Sequence, residues 1–229
     1  MNNDLNGRDF LFSQSEISDF HSNSSNEDSV SWPEQFVEKS GYNWLCVVSE
    51  DFLFDNFNMH GLSDLIQRYE ESLAVIRDIS SIDEIIDYHN LIQNVQDLYF
   101  LIHSRYILSE NGLKKMREKY LEKVFGECPR KECGGQPVIA TGSSNIPGRD
   151  SCCTYCPRCR DVYHTYSHNI LSLDGSAFGI SFGPLFFRVF QDLIPNSPIK
   201  LHSFQIMGFH LHKSRWRSVR RENEEIECK

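Results

Sequence analysis

The sequence predicts an α+β chain: an N-terminal all-helical domain, a four-cysteine zinc-ribbon domain and a C-terminal strand. Three observations predict it. Apolar residues recur at helical spacing between about residues 49 and 124. That periodicity stops at Gly126, where Gly, Pro and Cys accumulate among short β-like runs. Finally, Cys128-Pro-Arg-Lys-Glu-Cys133 and Cys156-Pro-Arg-Cys159 form two short loops with 22 residues between them. Two such loops can wrap one metal ion tetrahedrally.

The elements follow in order. Residues 1–40 are rich in Ser, Asn and acids, and His21 to Asp28 cannot bury enough apolar surface to offset ordering entropy, so a disordered tail is expected. Ser24 and Ser25 each have an acid three residues on, a spacing that suits an acid-directed kinase. Residues 41–124 read as the helical domain. Ser49-Glu50-Asp51 opens a short helix to about Phe57. A longer one after Leu62 uses Leu65, Ile66, Tyr69, Leu73 and Ile76. Ser81 and Glu84 form a capping box for a third, running through Leu91, Val95, Leu98, Tyr99, Ile102 and Tyr106 until Asn111-Gly112 breaks it. Leu113, Met116, Tyr120 and Val124 mark a last helix. Residues 125–200 read as the ribbon, with β-like runs at 137–141, 154–155 and 162–166 and an aromatic-rich stretch from Phe178 to Phe190. In the last segment, 201–229, Ser203 to His212 alternates like a strand, with Met207, Phe209 and Leu211 on one face, before a charged tail.

Cys128, Cys133, Cys156 and Cys159 are the predicted ligands of one structural Zn²⁺. Zinc prefers four thiolates at about 2.3 Å, and a complete set leaves no open position for catalysis. Proline in each loop fixes φ, and backbone N–H groups can turn toward the sulfurs. Four thiolates and one dication leave a charge of −2, which Arg130, Lys131, Arg158 and Arg160 can offset. Cys153-Thr-Tyr-Cys156 is a competing Cys-x-x-Cys, but Pro157 favours Cys156 with Cys159. His164 and His168 have a metal-like spacing, yet His164 follows Cys159 too closely for a Cys/His finger, where about 12–15 residues intervene. They read as exposed or hydrogen-bonded. Cys46 and Cys228 have no evident role. His103 on the long helix reads as a satisfied polar group. No Gly-rich phosphate loop and no Gly-x-Ser-x-Gly is present, and catalytic residues are not expected.

Composition bounds the partners. The formal charge is −9 over 229 residues. Residues 1–124 carry 22 Asp and Glu against 10 Lys and Arg, while residues 125–229 carry 10 against 13. The acidic first half repels a phosphate backbone. There is no apolar run long enough to span a bilayer and no secretory leader pattern. Eight cysteines without such a leader predict a reducing compartment, cytoplasmic or nuclear.

The chain resembles the regulatory (beta) subunit of casein kinase II along most of residues 42–212. The resemblance rests on residues in order. They are Ser49-Glu-Asp-Phe52, Phe57-Asn58, Gly61-Leu62 and Leu98-Tyr-x-Leu-Ile-His-x-Arg-Tyr-Ile-Leu108. Glu118-Lys-Tyr120, Phe125-Gly126, Cys128-Pro-Arg with Cys133, and Ile146-Pro-Gly148 follow. Cys156-Pro-Arg-Cys159, Asp161-Val-Tyr163, Asp174-Gly175, Phe178-Gly179 and Gly208-Phe209 complete the set. The resemblance implies a protein without catalytic activity of its own. It implies a homodimer formed through the zinc regions. It also implies docking of two catalytic (alpha) kinase subunits by a C-terminal hairpin, modulating their stability and choice of substrates. The docking residues it implies here are Ile206, Met207 and Phe209.

The chain also departs from the family. Lys131 stands where the family has an apolar residue near its dimer contact. Met207 replaces an aromatic anchor, and Ala140 replaces a proline. Cys152 and Cys153 replace a valine and a basic residue. Ile82, Ile85 and Ile86 interrupt the family's acidic loop, so regulation by basic ligands is not expected to carry over. Two other readings compete: a nucleic-acid-binding zinc ribbon using the basic stretch Lys213 to Arg221, and a divergent paralogue that has lost kinase docking.

Overall fold

A computed structural model describes residues 30–39, 42–80, 88–164, 173–196, 205–207, 209 and 210. The expected tail with Ser24 and Ser25, the capping box at Ser81 and Glu84, His168, Leu211 and the charged stretch after Lys213 lie outside the described residues.

Six helices precede the cysteines among the described residues: α1 (Trp32–Lys39), α2 (Glu50–Phe54), α3 (Asn56–Met59), α4 (Tyr69–Ile76), α5 (Tyr88–Tyr106) and α6 (Glu110–Leu121). α1 lies within the stretch expected as tail. Its signal is aromatic rather than periodic. Trp32 and Phe36 stack at 4.9 Å, and Phe36 meets Tyr99 of α5 at 5.2 Å. Both side chains are buried, and large rings at so short a spacing outweigh a polar neighbourhood. Ser31 starts the helix, donating from its N–H and hydroxyl to Glu34.

The expected helix to Phe57 is two helices. Asp55 is extended (ψ 109°) and its carboxylate accepts from the Phe57 N–H at 2.9 Å, restarting the chain as α3. A short acidic side chain here competes with the helical ladder. The helix expected after Leu62 forms only from Tyr69. Arg68 is left-handed (φ 52°) and pairs with Glu71, and Leu65, expected inward, is exposed.

α5 follows expectation: Leu91, Val95, Leu98, Tyr99, Ile102 and Tyr106 are all buried. It ends at Tyr106, before the expected break. Asn111-Gly112 lies instead in the first turn of α6, which Ser109 caps by accepting from Gly112 N–H at 3.2 Å. Gly112 is there for close approach, since a Cβ would stand 2.1 Å from the Tyr106 carbonyl oxygen. Val124 falls beyond the end of α6.

The ribbon is a three-stranded antiparallel sheet, ordered β1 (Ile139–Thr141), β2 (Cys153–Cys156), β3 (Asp161–His164). The register pairs Ala140 with Thr154 and Thr154 with Tyr163. A 3₁₀ turn (Gly175–Ala177) precedes the aromatic stretch, which forms α7 (Phe182–Val189). Phe186 and Phe187 reach Tyr120 of α6 at 5.6 and 5.7 Å, and Phe187 reaches Tyr155 of β2 at 5.7 Å. α7 thereby joins helices to sheet, and one compact unit runs through Asn196. No described helix is long and apolar enough to cross a membrane.

The second unit, from Ser197, contains a hairpin of β4 (Gln205–Ile206) and β5 (Phe209–His210). This differs from the single alternating strand expected over 203–212. Met207 is left-handed (φ 51°) and reverses the chain, so it sits at the tip rather than on a strand face with Phe209.

His103 ties the first unit together. Its Nδ1 donates to the Ala177 carbonyl at 2.6 Å, and its Nε2 accepts from the Cys46 N–H at 3.0 Å. It is fully buried, and burial lowers its pKa to about 4, with the Ala177 bond pulling the other way. The ring is neutral in the fold, whereas the unfolded chain takes up the proton near its ordinary value of 6.5. Its contribution is complete above that pH and is lost as pH falls toward 4, by up to about 3 kcal/mol. Urea titrations of metal-saturated protein should show a lower midpoint at pH 5 than at pH 7. His103→Gln should be less stable at pH 7 yet lose less on acidification.

Candidate metal centre

Two turns of backbone build the site. The first begins at Cys128, whose N–H donates to the Gln136 carbonyl at 2.8 Å. A 3₁₀ turn (Lys131–Cys133) follows, and Gly134 closes it in the left-handed region (φ 58°). The second is the β2–β3 connection, where Arg160 N–H donates to the Cys156 carbonyl at 2.8 Å and Arg160 is left-handed (φ 57°).

These turns bring the four predicted cysteines together, all four sulfurs lying within 4.8 Å of one another. Cys128 and Cys159 are 3.7 Å apart, and Cys133 and Cys156 are 4.0 Å apart. A disulfide requires about 2.05 Å. Four sulfurs at about 2.3 Å around a tetrahedral ion stand about 3.8 Å from one another. The residues present therefore fit a four-coordinate soft cation. Such an ion would supply cross-linking only, because the four thiols leave no open position for substrate or water.

The electrostatics point the same way. Burial and the neighbouring Cys128 and Cys159 push the Cys133 thiol up to about 11. Burial raises Cys156 further, although N–H groups of Cys159 and Arg158 oppose it. Cys159 differs: burial would raise it, but hydrogen bonds from Tyr163 and other neighbours outweigh burial and lower it. Crowded, desolvated thiols hold their protons until a cation replaces them, so metal affinity falls as pH falls. Of the cations expected to offset the thiolates, Arg158 donates to the Cys133 carbonyl at 3.0 Å and Arg130 pairs with Asp161 at 3.3 Å. Lys131 is exposed on the first turn.

The competing ligands are accounted for. Cys153 is buried, and its sulfur lies 3.4 Å from His164 Nδ1 and 3.8 Å from the Ser151 carbonyl. Strand alternation turns it away from Cys156. Cys152 is buried against the Thr141 carbonyl at 3.5 Å. Cys46, without an evident role in the sequence, packs its sulfur 3.2 Å from Met116 Sδ. One residue of the site escaped sequence reasoning. The Tyr163 hydroxyl lies 3.1 Å from Cys159 Sγ, and its four-residue offset across the turn was the available signal. Beyond the site, a concavity of about 650 Å³ is lined by Tyr155, Val162, Ile180, Pro184, Phe187 and Ile194 among others. In the hairpin, Met207 and Phe209 are 94% and 78% exposed. Ile206 lies in β4.

Comparison with known proteins places these features in a lineage. A family model described as casein kinase II regulatory subunit matches residues 31–210. The chain is 39% identical to casein kinase II subunit beta of Schizosaccharomyces pombe over 194 residues, covering 84% of each chain. It is 37% identical to subunit beta' of Saccharomyces cerevisiae over 199 residues, covering 83% of this chain and 77% of that one. It is 34% identical to subunit beta-2 of Neurospora crassa over 211 residues, covering 90% of this chain and 74% of that one.

Elemental analysis in reducing buffer tests the centre. One metal ion per chain is expected. Cys156→Ser should drop that ratio toward zero and expose the ribbon to protease, whereas Cys153→Ser should keep the ion bound.

Proposed function

Because the chain belongs to the casein kinase II regulatory subunit family, we propose that it is a non-catalytic regulatory subunit of a casein kinase II-like Ser/Thr kinase. In this reading it binds one structural Zn²⁺ through Cys128, Cys133, Cys156 and Cys159. It homodimerises through the zinc region and docks catalytic subunits with the hairpin carrying Ile206, Met207 and Phe209. It thereby modulates the activity of the kinase and its choice of substrates, in the cytoplasm or nucleus.

The observation that carries the reading is the family match itself, which extends from α1 past both cysteine turns to His210, the last hairpin residue. The exposed hairpin supports docking: an aromatic ring and a flexible thioether in solvent are suited to anchor in an apolar pocket. Val162, 55% exposed on β3, supports burial of the ribbon against a second chain. A closed thiol set supports a structural ion. A second reading, weakened self-association, draws on the exposed Lys131 beside the first cysteine turn, because burying an unpaired ammonium in an interface costs several kcal/mol.

Co-purification of the full chain with a casein kinase II catalytic subunit, in zinc-containing buffer, tests the reading. Absence of a complex at micromolar concentration overturns it. Phe209→Ala should weaken docking about tenfold or more while sedimentation shows an unchanged oligomer. Lys131→Val should tighten the dimer, read as a lower monomer–dimer dissociation constant by sedimentation equilibrium.

A further inference from the structure

We propose that the Tyr163 hydroxyl is a positioning group of the metal centre. Its hydrogen bond to Cys159 holds the ligand that solvent reaches and blunts the nucleophilicity of that sulfur. The inference rests on the four-thiol site being a metal centre.

The four ligands are not equivalent. Cys133 and Cys156 are fully shielded and Cys128 is nearly so, while Cys159 is partly exposed. They are also held differently. Cys156 lies inside β2 and is paired with Asp161 of β3. Cys159 lies in the turn between those strands, just before the left-handed Arg160, and strand pairing does not fix its side chain. The Tyr163 oxygen at 3.1 Å holds it, together with the backbone N–H of Asp161. Tyr163 itself is anchored: it is paired with Thr154, whose hydroxyl also donates to the Tyr163 carbonyl at 3.3 Å.

The direction of the bond follows from chemistry. A metal-bound cysteine is a thiolate and has no proton to give, so the phenol donates. Sharing a sulfur lone pair with O–H leaves less density for an incoming electrophile. With an alkyl halide such as iodoacetamide, the thiolate pair forms the S–C bond while the C–I bond breaks and iodide leaves. Partners of metal ligands commonly alter metal affinity about 10- to 100-fold when removed, and an exposed thiolate is where such a site is attacked.

The test uses the full chain loaded with Co²⁺. Tyr163→Phe should retain the intense d–d bands of a tetrahedral site, while the sulfur-to-cobalt charge-transfer band moves to lower energy. Alkylation of Cys159 by iodoacetamide, followed by peptide mass spectrometry, should accelerate about tenfold, as should metal transfer to a chromogenic chelator. Site-specific 3-fluorotyrosine at position 163, a stronger donor of nearly the same shape, should move the band the opposite way. This keeps the test intact even if the Phe variant folds poorly. Unchanged band energy and unchanged Cys159 alkylation overturn the proposal. A missing tetrahedral spectrum in the unmodified protein overturns the metal centre itself, and this inference with it.

Discussion

Four thiols drawn from two distant turns, and packed within 4.8 Å, cannot all ionise in a shielded place unless a cation lies among them. That constraint bears on the two cysteine turns and the strands between them. The three strands are three, four and four residues long, too short to hold a sheet on ladder hydrogen bonds alone. The first cysteine turn meets the second through sulfur contacts, the Arg158 bond to the Cys133 carbonyl and the Arg130–Asp161 pair. A bound ion would convert that repulsive cluster into a cross-link, and structural ions of this kind contribute on the order of 10–16 kcal/mol to folding.

The sheet is nonetheless not an independent module. Tyr120 of α6 packs tilted against Phe186 and edge-on against Phe187, and its hydroxyl donates to the Pro137 carbonyl at 3.3 Å while accepting from Gln136 at 3.1 Å. His103 reaches from α5 to Ala177, and Gly142 lies so close to Gly175 that a Cβ would meet the Gly175 carbonyl at 2.0 Å. Helical core, sheet and α7 therefore share one interior.

Legibility in the sequence followed how local each signal was. α5 could be read because six buried residues repeat at its own period over nineteen residues. The four-cysteine cluster could be read because cysteine spacing reports a turn, and a turn is local. Asp55, Arg68 and Gly112 misled because the conformation or contact of a single residue overrode the apolar period around it. A side-chain bond to Phe57 N–H broke one helix, a left-handed residue delayed another, and a glycine that looks like a stop signal serves the approach of Tyr106. α1 was hidden by the polar segment before it, since the value of Trp32 and Phe36 depends on Tyr99, more than sixty residues away.

By itself the sequence determined the class of the fold, the central helix, the grouping of four cysteines and the family, because periodicity and loop spacing are properties of neighbouring residues. The tertiary structure alone decided which sulfur faces solvent, that Tyr163 stands against it, that Cys153 turns to His164 instead, and that Met207 sits at a turn. Those outcomes depend on strand register and on backbone reversals, where a shift of one residue sends a side chain to the other face.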